Sequence, residues 1–101
     1  MPDGFVVINK DGFVIGWDKI RFKREQNIFD FVTSNCGIRM LKDAMDKATE
    51  EIPSDIEISF RMPHGKINSF CRIYKSSHLY LIGGWRLPET LIYFPDKDTA
   101  A

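Results

Sequence analysis

Phe5-Val6-Val7-Ile8-Asn9-Lys10-Asp11-Gly12-Phe13-Val14-Ile15-Gly16-Trp17 is the stretch whose reading decides the fold. β-Branched and aromatic residues fill both of its ends, and such residues fit a pleated, half-buried surface. Between them, Asp11-Gly12 supplies the positive φ that a tight hairpin turn requires. The spacing predicts two antiparallel strands, with Gly16 marking a bulge or a close approach of backbone.

Working outward, Asn27-Ile28-Phe29-Asp30-Phe31-Val32 predicts one helical turn that presses Ile28, Phe29 and Val32 onto the sheet. The polar run from Lys19 to Gln26 before it reads as loop or short helix. Ser34 or Asn35 can cap a helix. From there Ile38, Leu41, Ala44, Met45 and Ala48 recur at helical spacing, with Lys42, Asp43, Asp46, Lys47 and Glu50 opposite. A helix is expected from Ser34 to Glu51, stopped by Pro53. Asp55 to Met62 alternates cleanly. Ile56, Ile58, Phe60 and Met62 share one face, and Asp55, Glu57, Ser59 and Arg61 share the other, as in a strand covered on one side. Ile67–Tyr74 and Leu79–Leu87 follow as strands separated by turns at 63–66 and 76–78. Thr90–Phe94 reads as an extra strand or extended arm. The chain is expected to be one domain over residues 1–95, with 96–101 a frayed tail.

The 101 residues suit a single core. Fourteen basic and fourteen acidic side chains cancel, so no electrostatic footprint for nucleic acid or an anionic membrane is present. The basic run Lys19, Arg21, Lys23 and Arg24 reads as a solvated loop. Cys36 and Cys71 lack the spacing of a metal site or redox motif, and free thiols in a cytoplasmic protein are expected. No apolar run approaches the ~20 residues of a membrane helix, and no signal-peptide pattern opens the chain. The first strand begins close to Met1, as expected of a fragment of a longer protein or of a short natural one.

In this order of elements the chain resembles a PAS domain. The resemblance covers Asp3 to Leu87. Asp3–Ile15, Asn27–Val32 and the closing Tyr80-Leu81-Ile82-Gly83-Gly84-Trp85 carry it. It implies an α+β fold: a five-stranded antiparallel sheet in the order 2-1-5-4-3, with one main helix and short helical turns over one face. It also implies a non-enzymatic sensory or dimerising module beside an effector, such as a bacterial histidine kinase of a two-component system, a cyclic-dinucleotide enzyme or a transcription factor. The sequence departs from the family between Trp17 and Asn27, where there is room for one short turn in place of two or three helices. That trimmed wall argues against a large cofactor.

No cofactor or metal is expected. Asn35-Cys36 resembles the start of the flavin-linked motif of light-sensing relatives, but Gly37-Ile38 stands where Arg-Phe is needed and Trp85 where a Gln reads the flavin. Cys36 near a helix start could instead be redox-active, or simply a small residue. His64 and His78 fall in turns, away from the helix that ligates haem in relatives, and neither has a second metal ligand at a usable spacing. Leu41, Met45, Ile58, Phe60, Leu81 and Trp85 are expected to line whatever space lies between helix and sheet, or to fill it. The strand Ile67–Tyr74 is apolar on both faces and leaves two registers open. One turns Phe70, Arg72 and Tyr74 toward the pocket, where Arg72 could hold a carboxylate or phosphate. The other turns Ser69, Cys71 and Ile73 inward. Tyr80 and Ile82 are expected on the outer face of the sheet, as part of a homodimer interface. Two rival functions accompany the sensor: a ligand-free dimerisation or docking domain, and a small α+β enzyme, thioesterase-like or isomerase-like, built around Arg72.

Overall fold

The computed structural model describes residues 2–18, 22–63 and 65–87. Five strands, β1 (Gly4–Asn9), β2 (Val14–Asp18), β3 (Ser54–Met62), β4 (Gly65–Ser76) and β5 (Leu79–Arg86), form one sheet in the order β2-β1-β5-β4-β3. Every pairing is antiparallel. A 3-10 turn (Ile28–Phe31) and one helix, α1 (Asn35–Lys47), complete an α+β fold. The first and last strands thus lie side by side, with Val6 opposite Ile82 and Ile8 opposite Tyr80.

The opening turn is built as its residues demand. Asn9 accepts two backbone N–H bonds through Oδ1, from Asp11 and Phe13, each at 3.0 Å. Gly12 closes the turn at φ +92°. The bulge falls on Ile15, the residue left over when Val7 pairs Gly16 and Ile8 pairs Val14. Gly12 also ties the hairpin to the 3-10 turn, its carbonyl accepting from Ile28 N–H at 2.8 Å. Asn27 caps that turn, accepting from Phe29 N–H at 2.9 Å and donating Nδ2 to the Asp11 carbonyl at 2.9 Å.

Helix α1 starts on Ser34, whose hydroxyl accepts from Gly37 N–H at 3.0 Å. It buries Leu41, Ala44 and Met45, and it packs chiefly on β3. It ends at Lys47, a full turn short of the expected Glu51. The cause is Thr49: its hydroxyl accepts from the N–H groups of Glu51 and Ile52, and its own N–H donates to the Ile52 carbonyl. Thr49 offers the backbone a local turn that competes with another turn of helix, so Pro53 follows the end and does not cause it.

The covered face of the sheet carries Val6, Ile8, Val14, Ile56, Ile58, Phe60, Ser69, Cys71, Ile73, Tyr80 and Ile82, all buried. Two expectations are corrected here. Tyr80 and Ile82 belong to this core and not to an outer dimer face. Leu81 and Trp85 lie on the outer face and not against the helix. Both alternations of Leu79–Ile82 are apolar, so pattern alone is silent. Pairing with the buried Val6 and Ile8 decides it. The same register resolves β4. Ser69, Cys71 and Ile73 point in, while Phe70, Arg72 and Tyr74 point out beside Trp85, Gly83 and Leu81 respectively. Gly83 gives the outer face room, with Pro2 and the Trp85 ring 3.5–4.0 Å from where a Cβ would sit. The expected Thr90–Phe94 strand, the 96–101 tail, the limit at residue 95, His64, Lys19 and Arg21 lie outside the described residues.

Candidate functional site

The covered face is not packed along its whole length. Helix α1 lies over β3, and the far end of the sheet, toward the start of β1, keeps an apolar cavity of about 320 Å³. Missing side chains create it. Gly4 pairs Gly84, and Gly84 pairs Cys71, so one row of small residues crosses β1, β5 and β4. Val6, Ile28, Phe60 and Ile82 form the buried walls. Phe22 closes another side, edge-on to Phe31 with ring centroids 5.0 Å apart. The exposed members of the lining, Asp3 and Arg86, mark the mouth, with Met62 and Ile67 beside them.

Polar groups inside are few and engaged. Ser69 donates its hydroxyl to the Trp85 carbonyl at 3.2 Å, and the Cys71 thiol donates weakly to Ser69 Oγ at 3.7 Å. Burial pushes the Cys71 thiol up to about 11, against the smaller opposing effect of the Ser69 contact. This wall is therefore neutral and unreactive. Because the folded state holds that proton more tightly, the buried thiol's contribution to stability is complete below the ordinary thiol value of 9.0 and is lost as pH rises toward about 11. Chemical denaturation is expected to show stability falling over that window, and falling less in Cys71→Ala. Cys36, exposed on the first turn of α1, is expected to react with a thiol reagent in the native protein much faster than the buried Cys71, whose thiol is held protonated.

Of the eight side chains expected to line a pocket, Leu41, Met45, Ile58 and Phe60 are on the covered face, and Phe60 alone touches the cavity. Phe70, Arg72, Leu81 and Trp85 are on the opposite face. Phe70 and Trp85 pack there across strands, their rings tilted by 50° with centroids 5.7 Å apart. Arg72 forms a two-point ion pair with Asp55, its cross-strand neighbour, at 2.7 and 3.0 Å. This hydrogen bonding holds the Asp55 carboxyl below its ordinary value and raises the Arg72 guanidinium. Arg72 is thus committed to a surface pair away from the cavity.

Sequence reasoning missed Phe22 in a polar run, the Gly4–Gly84 pair, and Asp3 with Arg86 at the rim; Ser69 and Cys71 face inward as in one of the two registers it left open for β4. The Gly83-Gly84 doublet inside a strand was the one available signal, since strand glycines mark places where side chains are excluded. His78 is exposed. Among the described residues no group of three or more His, Cys, Asp or Glu could hold a metal, and no helix is long and apolar enough to cross a membrane. No protein-family model matches this sequence, and none of the curated proteins is similar to it.

Proposed function

We propose that this chain is a PAS-like sensory module that takes a small, largely apolar ligand into the cavity under its sheet and passes the resulting change to an effector. The observation that carries the reading is the cavity itself. Its volume of about 320 Å³ falls at the lower end of the range for small-molecule sites. The site is open to solvent on one side, which gives a ligand its way in. The strand order 2-1-5-4-3, with the helical elements gathered on one face, supports the family assignment. A site this small suits a compact metabolite and not a flavin or haem. The effector in this reading is an attached or partner signalling domain, such as a histidine kinase, a cyclic-dinucleotide enzyme or a transcription factor, in the bacterial cytoplasm. The module itself is not an enzyme in this reading. Native mass spectrometry of freshly purified protein is the test. A retained small molecule supports the sensor, and bare protein that also gives no thermal shift across a metabolite panel contradicts it.

The outer face favours self-association as part of the same role. Tyr74, Leu79 and Leu81 stand 36–42% exposed, and the half-buried Phe5, Val7, Phe70 and Trp85 continue the surface. Exposed apolar side chains that neighbour one another on a sheet face suit an interaction site. The one charged pair in its middle, Asp55–Arg72, is self-neutralising, and the zero net charge of the chain opposes no second copy. The homodimer interface is thus assigned to Tyr74 and Leu81 in place of Tyr80 and Ile82. Sedimentation at tens of micromolar is expected to give a dimer that Leu81→Glu converts to monomer. A monomeric parent chain at that concentration contradicts the assignment. If the protein dimerises but retains nothing, the ligand-free docking domain is the better description.

A further inference from the structure

We propose that the ligand of the cavity is a small monocarboxylate with an apolar body, its carboxylate held at the rim by Arg86. This rests on reading the cavity as a ligand site and adds the chemistry of what enters it.

The interior presents hydrocarbon from Val6, Ile28, Phe60 and Ile82, glycine backbone and a neutral thiol. Among the described residues the one hydroxyl in the lining, that of Ser69, already donates to a carbonyl. A polar group pushed to this depth would lose water and find little in return, so the buried part of the ligand is apolar. At the share of roughly 30 Å³ that a water molecule takes in the liquid, the cavity holds on the order of ten non-hydrogen atoms.

The rim decides the head group. Asp3 is tied into the strand end, its Oδ2 accepting from Arg86 N–H at 2.7 Å and its N–H donating to the Gly84 carbonyl at 2.8 Å. Arg86 pairs with Ser69 and so stands on the covered side of the sheet, at the mouth of the cavity. Among the described residues its guanidinium has no ion pair, as is also true of Arg24, Arg39 and Arg61; what sets Arg86 apart is its place in the cavity lining. A guanidinium fork beside a low-dielectric opening matches a carboxylate in two-point geometry, a match that neither an alcohol nor an amine provides.

Octanoate, 1-octanol and octylamine share one body and differ in the head group, and calorimetric titration of each into the whole 101-residue chain separates the possibilities. Octanoate is expected to bind about tenfold tighter than octanol and tighter than octylamine, whose ammonium meets both the Arg86 cation and the Asp3 anion at the mouth. Arg86→Gln is expected to erase that preference while leaving octanol binding and the unfolding temperature unchanged, which shows that the variant still folds. Equal binding of octanoate and octanol, or a preference that survives Arg86→Gln, overturns the carboxylate assignment and leaves the cavity as a site. Failure of all three probes to bind overturns the cavity reading itself.

Discussion

Gly12→Val is expected to be the most damaging single substitution in the first hairpin, costing about 2–5 kcal/mol and lowering the unfolding midpoint by about 10 °C or more. Two independent effects add. The backbone at Gly12 sits at φ +92°, where a β-branched side chain is strained. A Cβ built there would also lie 2.5 and 2.6 Å from Phe29 ring carbons and 2.7 Å from Asn27 Oδ1. Neither neighbour can move cheaply. Asn27 is held by bonds to Phe29 N–H and the Asp11 carbonyl, and the Gly12 carbonyl holds Ile28. Displacing them would detach the 3-10 turn that delivers the fully buried Ile28 to the core. Gly16→Ala is the control. Its φ is not positive, and its new Cβ would meet Val7 at 3.9 Å, an ordinary contact. Thermal unfolding of the two variants beside the parent checks the difference. Equal midpoints would contradict the role given to Gly12.

Gly84→Val is expected to separate stability from binding. The residue lies on the floor of the cavity, its φ is not positive, and a Cβ there would sit 3.4 Å from Ser69 Oγ and 4.0 Å from the Gly4 carbonyl. The remaining methyl groups would occupy space that is now empty. Removing glycine from a strand also lowers the entropy of the unfolded chain, so stability is expected to rise by about 0.5–1 kcal/mol. The same atoms would clash with any ligand that fills the cavity, weakening its binding by about ten- to a hundredfold. A protein that melts higher yet binds worse cannot have lost binding through misfolding. If Gly84→Val bound as well as the parent, the ligand would have to sit elsewhere, with the outer face as the next place to look.

These two glycines also show what a sequence can and cannot disclose. The turn at Asn9–Gly12 was legible because its conformation is local, and the chemistry of Asn9 and Gly12 admits few alternatives. β3 was legible because Asp55, Glu57 and Arg61 mark one face as wet. β5 was not, since Leu79 and Leu81 are as apolar as Tyr80 and Ile82. Its facing is set by hydrogen bonding to β1, a contact between segments seventy or more residues apart. The same ambiguity hid the facing of β4 and placed Arg72 among the pocket candidates. The cavity was the least visible feature, because absent side chains make it. Gly4, Cys71 and Gly84 are unremarkable in isolation, and only their cross-strand alignment leaves a hole. Its rim joins Asp3 to Arg86 across nearly the whole chain. Phe22 was obscured by its charged neighbours Lys23 and Arg24.

The proposed ligand site is the cavity under the sheet, and not its outer face. Side-chain methyl and backbone amide NMR spectra recorded during an octanoate or octanol titration test it most directly. Shifts are expected to concentrate at Val6, Ile28, Cys71 and Ile82, with Tyr74 and Leu81 nearly still. Shifts confined to Tyr74, Leu81 and their outer-face neighbours, or no saturable shifts anywhere, would contradict it.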